Sequence, residues 1–380
     1  MSEQDRAFFA VVTPGLEFVS EAELKALGAT EVEIVAPGGV AFQGPVTLGM
    51  QVNLCARTVG RVLLRVTAFK ATSFPQLFKR ARAVDWEPYL VEGAGVEVKA
   101  AARRSRLIHT GRIATTLTEA VAKSRGGNGG AEVGTTVYAR FEDDVCTLSV
   151  DLSGELLHKR GYRVDVGRAP LRETMAAALL TASGYTGDEP LVNLACGSGS
   201  LAIEGAMMAL GHLPGAARHF AAEAWPITVG AGWGAVREAL EAAAAARHGA
   251  GGAPRVLASD RDPAILEAAR QNAEAAGCGD AITFEARDVA QTTVPDGAGL
   301  VVCNPPWGQR IGSQASLRPF YGQLGASLAR FTGWRAAVLS TDKVLRTTME
   351  QAMERGPSQV RRYRQGGLDV TWTLYHIKAP

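Results

Sequence analysis

The residues best suited to chemistry are Asn304, Pro305, Pro306 and Trp307, directly behind the apolar run Val301-Val302-Cys303. A short hydrophobic run that stops at Asn-Pro-Pro reads as a buried strand ending in a stiff turn. Each proline fixes its own φ and pushes the preceding residue into extended geometry, so Asn304 and Pro305 are constrained together. Neither proline carries an N–H, so a helix starting there cannot engage the carbonyls of the turn. A side-chain amide oxygen, a backbone carbonyl and an indole face are left at one strand end. Such a set can grip the exocyclic amino group of a flat molecule. Asn-Pro is also a common turn starter, so by itself the tetrapeptide reads equally as a structural corner.

About a hundred residues upstream, Leu191-Val192-Asn193-Leu194 is a second strand-like run. The loop Ala195-Cys196-Gly197-Ser198-Gly199-Ser200 and a helix-forming stretch from Leu201 to Leu210 follow it. Strand, glycine-rich loop and helix make the opening unit of a doubly wound sheet, where backbone must approach a ligand closely. The loop is neither Gly-x-Gly-x-x-Gly nor a phosphate loop with Gly-Lys-Ser/Thr. Its small residues suit a cofactor with an amino-acid tail, and S-adenosylmethionine has one. Tight packing of strand on helix would select the same glycines. Arg255 to Asp260 reads as the next strand, and an acid at its carboxyl end can accept both protons of a ribose diol. Asp262-Pro263 then starts a helix as cap and first-position proline. A third unit, Ile282 to Asp288, ends in a carboxylate that either accepts from an adenine amino group or faces water.

This order of glycine loop, acid after the second strand, Asp after the third and Asn-Pro-Pro-Trp resembles the Rossmann-like S-adenosylmethionine-dependent methyltransferases that act on exocyclic or amide nitrogen. A more specific likeness lies in Asp151-Leu152-Ser153-Gly154-Glu155-Leu156-Leu157-His158-Lys159-Arg160-Gly161-Tyr162-Arg163, followed by Ala169-Pro170-Leu171-Arg172-Glu173-Thr174. That junction is similar to the one in THUMP-domain RNA guanine-N2 methyltransferases, particularly the large-subunit ribosomal RNA enzymes. Pro214 to Phe220, Glu223-Ala224-Trp225 and the tail Gly366 to Val370 fit the same group.

The resemblance implies Asn304, Pro305, Pro306 and Trp307 as catalytic. It implies Asn193, Ala195, Cys196, Gly197, Ser198, Gly199, Asp260, Asp288 and Asn304 around S-adenosylmethionine, with no metal. The implied reaction is methyl transfer to the N2 amino group of a guanosine, in 23S rRNA. Transfer RNA and a protein glutamine are the alternative substrates, and an RNA-binding factor with a decayed catalytic domain is a third reading. Two departures from the family stand out. Its loop usually begins Asp-Pro and ends Gly-Ser-Gly-Thr, whereas here Asn193-Leu194 and Gly199-Ser200 occupy those positions. Asn193 removes a negative charge near the cofactor's ammonium, where a charge-assisted bond contributes about 1.5–3 kcal/mol, so lower cofactor affinity is expected.

At 380 residues the chain should divide into two or three domains, and 47% hydrophobic residues suffice for sizeable cores. No run approaches a membrane span, and the charged start Met1 to Arg6 has no signal-peptide pattern. Cys55, Cys146, Cys196, Cys278 and Cys303 are scattered, which points to a reducing cytoplasm and no zinc site. Cys196 and Cys303 read as small apolar fillers of the site.

The formal net charge of +2 does not by itself favour nucleic acid. Distribution says more, because Arg57 to Arg125 holds fourteen Lys/Arg against five Asp/Glu. Lys99, Arg103, Arg104 and Arg106 form its densest part and suit phosphate contacts, although an ordinary solvated face looks the same. Lys159, Arg160, Arg163, Arg168 and Arg172 make a second basic set at the junction, expected to hold RNA. Tyr162 among them reads as packing under the linker. A monomer is expected, with no membrane partner.

The elements that must position these groups follow from pattern. Strands at Phe8–Val12, Val32–Val35, Gly39–Phe42 and Val59–Phe69, with helices at Leu16–Leu27 and Val46–Leu54, give a ferredoxin-like β-α-β-β-α-β order over residues 1–70. Residues 71–155 alternate again, with strands at Gly95–Ala101, Thr135–Phe141 and Val145–Leu152 and a helix at Gly111–Lys123; the resemblance makes this the THUMP RNA-binding domain. Gly126 to Gly130 reads as a flexible loop. Residues 156–184 are a linker and a helix, and residues 185–380 the Rossmann-like domain, closed by an antiparallel strand Val370–Ile377. An alanine-rich helix, Ala235–Arg247, reads as a surface cover. The expected fold class is α/β, a doubly wound C-terminal sheet behind ferredoxin-like and THUMP α+β domains.

Overall fold

Alternating apolar residues separated by Gly and Pro turns build the first part of the chain as strands and short helices. In order these are β1 (Arg6–Val12), α1 (Glu17–Ala26), β2 (Thr30–Val35), β3 (Gly39–Gly44), α2 (Val46–Cys55), β4 (Val59–Lys70), α3 (Phe74–Arg82), β5 (Gly95–Arg103), α4 (Thr110–Ser124), β6 (Val133–Glu142) and β7 (Val145–Asp151). The computed structural model describes residues 4–91, 93–126, 133–164, 171–248, 256–306, 314–365 and 368–378. The expected Gly-rich loop therefore lies, beyond Gly126, outside the described residues.

All seven strands form one sheet in the order β2-β3-β1-β4-β7-β6-β5. The first six elements have the expected ferredoxin-like order. Strand β4 is the seam: its first half pairs with β1 and its second half, from Leu63 to Lys70, with β7. Residues 1–70 and 71–155 thus share a single sheet. Phe8 and Phe42 stack beneath it with ring centroids 5.0 Å apart.

The second part begins with α5 (Glu173–Ala182), β8 (Leu191–Leu194), α6 (Ser200–Ala209), α7 (Pro226–Gly230), α8 (Trp233–His248), β9 (Val256–Asp260) and α9 (Pro263–Ala275). It continues with β10 (Ile282–Ala286), β11 (Leu300–Cys303), α10 (Gln314–Ala329), β12 (Arg335–Ser340), α11 (Lys343–Met353), β13 (Gln359–Gln365) and β14 (Leu368–His376). The sheet order is β10-β9-β8-β11-β12-β14-β13. Strands β10, β9, β8, β11 and β12 are parallel, while β14 runs antiparallel between β12 and β13. Both faces are covered: Leu191 belongs to one core and its neighbour Val192 to the other. Burial on both sides explains why β8 and β11 read as continuous apolar runs.

The chain forms two compact units. One holds residues 1–12, 20–157 and 215–241; the other holds 13–19, 158–214 and 242–380. The segment Gly215–Glu241, with α7 and the first turns of α8, therefore belongs to the first unit, although it is inserted between β8 and β9 in the sequence. Its Trp225 is fully buried and meets Tyr89 edge-on at 6.4 Å. Among the described residues no helix is long and apolar enough to cross a membrane.

Candidate functional site

From β8 the chain winds outward through β9 to β10, then returns to β11 on the other side of β8. At such a reversal the loops part and leave a crevice at the carboxyl ends of the strands. Strand register shows what meets there. Leu194 lies level with Ser259 on one side and Cys303 on the other. The next residues, Ala195 and Asn304, leave β8 and β11 at the same level as Asp260, the last residue of β9, which stays paired with Ala286. The Asn304–Pro306 turn and the glycine loop are side by side.

The loop is tied down at three points. The Cys196 N–H donates to the Ser259 carbonyl at 2.9 Å, and the Gly197 N–H to Asp260 Oδ2 at 3.0 Å. The Asn272 side chain donates to the Ser198 carbonyl at 3.2 Å, while its own oxygen accepts the Val164 N–H at 2.8 Å. Asn272 went unnoticed in the sequence, but it was findable: it sits on the buried stripe of α9 with Leu266, Ala269 and Ala273. A buried amide on an apolar face must have partners.

The loop glycines divide by role. Gly199, at φ 87°, would press a side chain against Ala269 and Ile203, and Gly205 against Leu191; both serve close packing. Gly197, at φ 56°, has no atom within 4 Å of where a Cβ would stand. It forms a left-handed, open cradle. Ala195 is also left-handed, at φ 47°, a conformation that costs a non-glycine residue about 1–2 kcal/mol.

Asp260 is half-buried, and its second oxygen accepts the Asp262 N–H at 3.1 Å. Asp262 caps α9 through the Ala264 N–H, as expected. Asp288 likewise caps a short 3-10 turn, accepting the Ala290 N–H at 3.0 Å. Asn193 is buried within β8; its amide donates to the Leu194 and Val302 carbonyls at 3.2 and 3.4 Å. Its Oδ1 is buried with no hydrogen-bond partner among the described residues. A buried orphan acceptor beside an open glycine cradle and a fixed carboxylate fits an amino-acid tail and a ribose. Burial pushes the Cys196 and Cys303 thiols well up, away from the thiolate form.

At the turn, Asn304 and Pro306 are half-buried and Pro305 is buried. Tyr321, a fully buried residue of α10, donates to the Pro306 carbonyl at 3.5 Å, and its hydroxyl also bonds Ser340. Sequence reasoning missed this support. Trp307 lies outside the described residues, as does Arg168.

The basic residues need correction. Lys99, Arg103, Arg104 and Arg106 are exposed on and after β5, but β6 brings acids alongside, with Arg103 level with Glu142. Arg104 binds Glu142 and Asp143 at 2.7 and 2.9 Å, Arg106 faces Asp144 at 3.7 Å and Lys99 faces Glu97 at 3.2 Å. This turn therefore carries far less positive potential than a count ending at Arg125 suggests. Arg160 is only 3% exposed and pairs with the fully buried Glu204 at 3.4 Å. It is a core group, not an RNA contact. Arg163 pairs with Glu173 at 2.9 Å and donates to Ser200 Oγ at 3.1 Å. Its task is to hold the start of α6, which also gives the Ser200 hydroxyl a purpose. Tyr162 is buried and donates to Glu204, which bears out its packing role. Of the described junction residues, Lys159 and Arg172 are exposed.

Residues 160–373 match the RMKL-like methyltransferase domain, and residues 7–63 the RlmL ferredoxin-like domain. A candidate RNA methyltransferase of Synechocystis, slr0064, is 33% identical over 353 residues, covering 90% of this chain and 91% of that one. The solved structure of SMU.472, a candidate methyltransferase complexed with SAH, superposes with a TM-score of 0.88 at 26% identity over the whole of both chains. A predicted N6-adenine-specific DNA methylase from Listeria monocytogenes gives 0.85 at 30% identity, covering 97% and 96%.

Proposed function

The chain belongs to the family of RMKL-like methyltransferase domains, and on that basis we propose that it transfers a methyl group from S-adenosylmethionine to the N2 amino group of a guanosine in RNA, namely 23S rRNA. The observation that supports this reading is the common level of Ala195, Asp260 and Asn304, which brings the Asn-Pro-Pro turn beside the open glycine loop. The SAH bound to SMU.472 supports the cofactor, and the naming of slr0064 supports RNA.

In this reading Gly197 leaves room for the methionine tail, Asn193 Oδ1 accepts from its ammonium and Asp260 accepts from the ribose. The cofactor, when bound, supplies a methyl group already activated by sulfonium. The chain's main task is then alignment, which contributes several kcal/mol. Asn304 Oδ1 and the Pro305 carbonyl accept the two N–H groups of the guanine amine. This encourages the nitrogen to pyramidalise and turn its lone pair towards the methyl. The N–C bond would form as the S–C bond breaks to leave a neutral thioether, and the acidic methylated nitrogen would lose one N–H proton to solvent. Tyr321 steadies the turn from behind through the Pro306 carbonyl; the base-stacking role expected of Trp307, worth about 1–3 kcal/mol, falls on a residue outside the described ones. RNA docking is assigned to residues 71–155.

Gly197→Ala should cost about 1 kcal/mol of stability through its left-handed backbone. It should weaken S-adenosylhomocysteine binding roughly tenfold or more by filling the cradle, the counterpart of about 1.4 kcal/mol. Calorimetry on the folded variant reads both, and unchanged affinity would remove Gly197 from the cofactor site.

The likeness to the Listeria protein favours one second reading, adenine N6, because the same turn can grip either amine. Incubation with labelled cofactor and rRNA, tRNA or ribosomal protein, followed by nucleoside analysis, separates the readings. N2-methylguanosine in large-subunit rRNA is expected. Label in N6-methyladenosine, in tRNA or in protein would overturn that assignment.

A further inference from the structure

Strand β12 ends in a cavity of about 490 Å³ bordered by Ser340, Lys343, Arg346, Arg362 and Asp369. It lies on the same edge of the sheet as the Asn-Pro-Pro turn. Cys303 pairs with Val338, two residues before β12 ends at Ser340, so the turn begins beside the last residues of β12. The Tyr321 hydroxyl joins the two places physically, since it bonds both Ser340 and the Pro306 carbonyl. The cavity and the turn are thus linked through a single buried side chain.

The wall sets three cations, Lys343, Arg346 and Arg362, against two carboxylates, Asp342 and Asp369. Arg346 faces Glu350 at 3.5 Å, and Asp342 is engaged in capping α11 through the Val344 and Leu345 amides at 2.7 and 3.1 Å. The helix end is thereby closed to an anion. Lys343 and Arg362 are exposed, and neither has an ion-pair partner among the described residues. The hydroxyls of Thr341 and Thr371 line the wall beside them, whereas the Ser340 hydroxyl is engaged with the Asp342 carbonyl at 3.0 Å. Two unpaired cations among hydroxyl donors suit a phosphate oxygen rather than an apolar or cationic group.

We propose that this cavity seats a backbone phosphate of the substrate RNA next to the target nucleotide, with Lys343 and Arg362 as its contacts. The proposal rests on the RNA methyltransferase reading and adds to it a docking point on the catalytic unit itself. It gives that unit a hold on the strand at the point where the base must leave its stack.

The test uses the full-length protein and large-subunit rRNA from cells lacking the gene. Lys343→Glu combined with Arg362→Glu should weaken filter binding of this RNA roughly tenfold and flatten its salt dependence by about one unit of slope. The loss should fall on KM for RNA rather than on kcat, with S-adenosylhomocysteine affinity unchanged. Arg362→Lys, which keeps the charge, should recover most of the binding. If the double reversal lowers Tm, Lys343→Ala at its exposed position carries the same comparison. Wild-type RNA affinity and salt slope in a folded variant would overturn the proposal. Tight binding of guanosine monophosphate at these residues without any effect on RNA would do so too, by marking a free-nucleotide site. If the wild type binds this RNA but modifies none, the methyl-transfer reading fails and the docking comparison still stands.

Discussion

Asn304→Ala will abolish methyl transfer while leaving a folded protein that still binds S-adenosylhomocysteine to within a few-fold. In the proposed reading the side-chain oxygen is one of the two acceptors that hold the incoming amine. The other, the Pro305 carbonyl, is fixed by backbone and cannot shift to compensate. Removing one preorganised polar group from a reacting centre typically costs about 10²–10³ in kcat. Here the loss should reach at least that scale, because the same bond also sets the angle of the nitrogen lone pair. Asn304→Asp keeps an acceptor and should retain more activity than the alanine variant. Single-turnover transfer of labelled methyl, beside calorimetry of cofactor binding, measures both halves. Activity above a tenth of wild type in Asn304→Ala would end the proposed role.

Arg160→Met will destabilise the protein severely, and for a reason unrelated to RNA. Glu204 is fully buried on α6, and Arg160 is its only described cationic partner. The Tyr162 hydroxyl adds one bond at 3.1 Å, and burial beside that carboxylate pushes the phenol's pKa well up. Taking the guanidinium away leaves a carboxylate in the core, which typically costs about 3–5 kcal/mol. Arg160→Met with Glu204→Leu removes both charges and should recover most of that loss. The folded double variant should bind RNA as the wild type does. Urea unfolding midpoints and RNA filter binding decide the matter. A cost below about 1 kcal/mol, the range of an exposed pair, would mean the bridge is solvated after all.

The fold was legible wherever period and punctuation agreed. Strands β1 to β4, β8 and β11 and helix α9 carry their signals locally, as alternation, an unbroken apolar run or an Asp-Pro start. Residues 309–365 yielded nothing comparable. Helix α10 contains Pro319, and β13 reads Gln-Val-Arg-Arg-Tyr-Arg-Gln, a charged edge strand without an apolar rhythm. The charge argument failed for a different reason. A count along the chain cannot see that β6 folds Glu142 beside Arg103, or that an arginine in a basic run is buried against a glutamate some forty residues later. The site was half legible. Asn304, Gly197 and Asp260 announce themselves by type and place, whereas Asn272, Tyr321 and Arg163 matter through groups that only tertiary structure brings near.

The return of Gly215–Glu241 to the N-terminal unit makes that unit discontinuous. Backbone at Gly215 comes so near Asn53 and Leu54 that an added methyl would collide at 2.8–2.9 Å. A fragment severed at residue 157 would lose this plug, with Trp225 pulled out of its socket and a hole left beside Tyr89. The two halves cannot be separated by a single cut. Any attempt to graft the N-terminal half onto another enzyme must bring the detached piece with it.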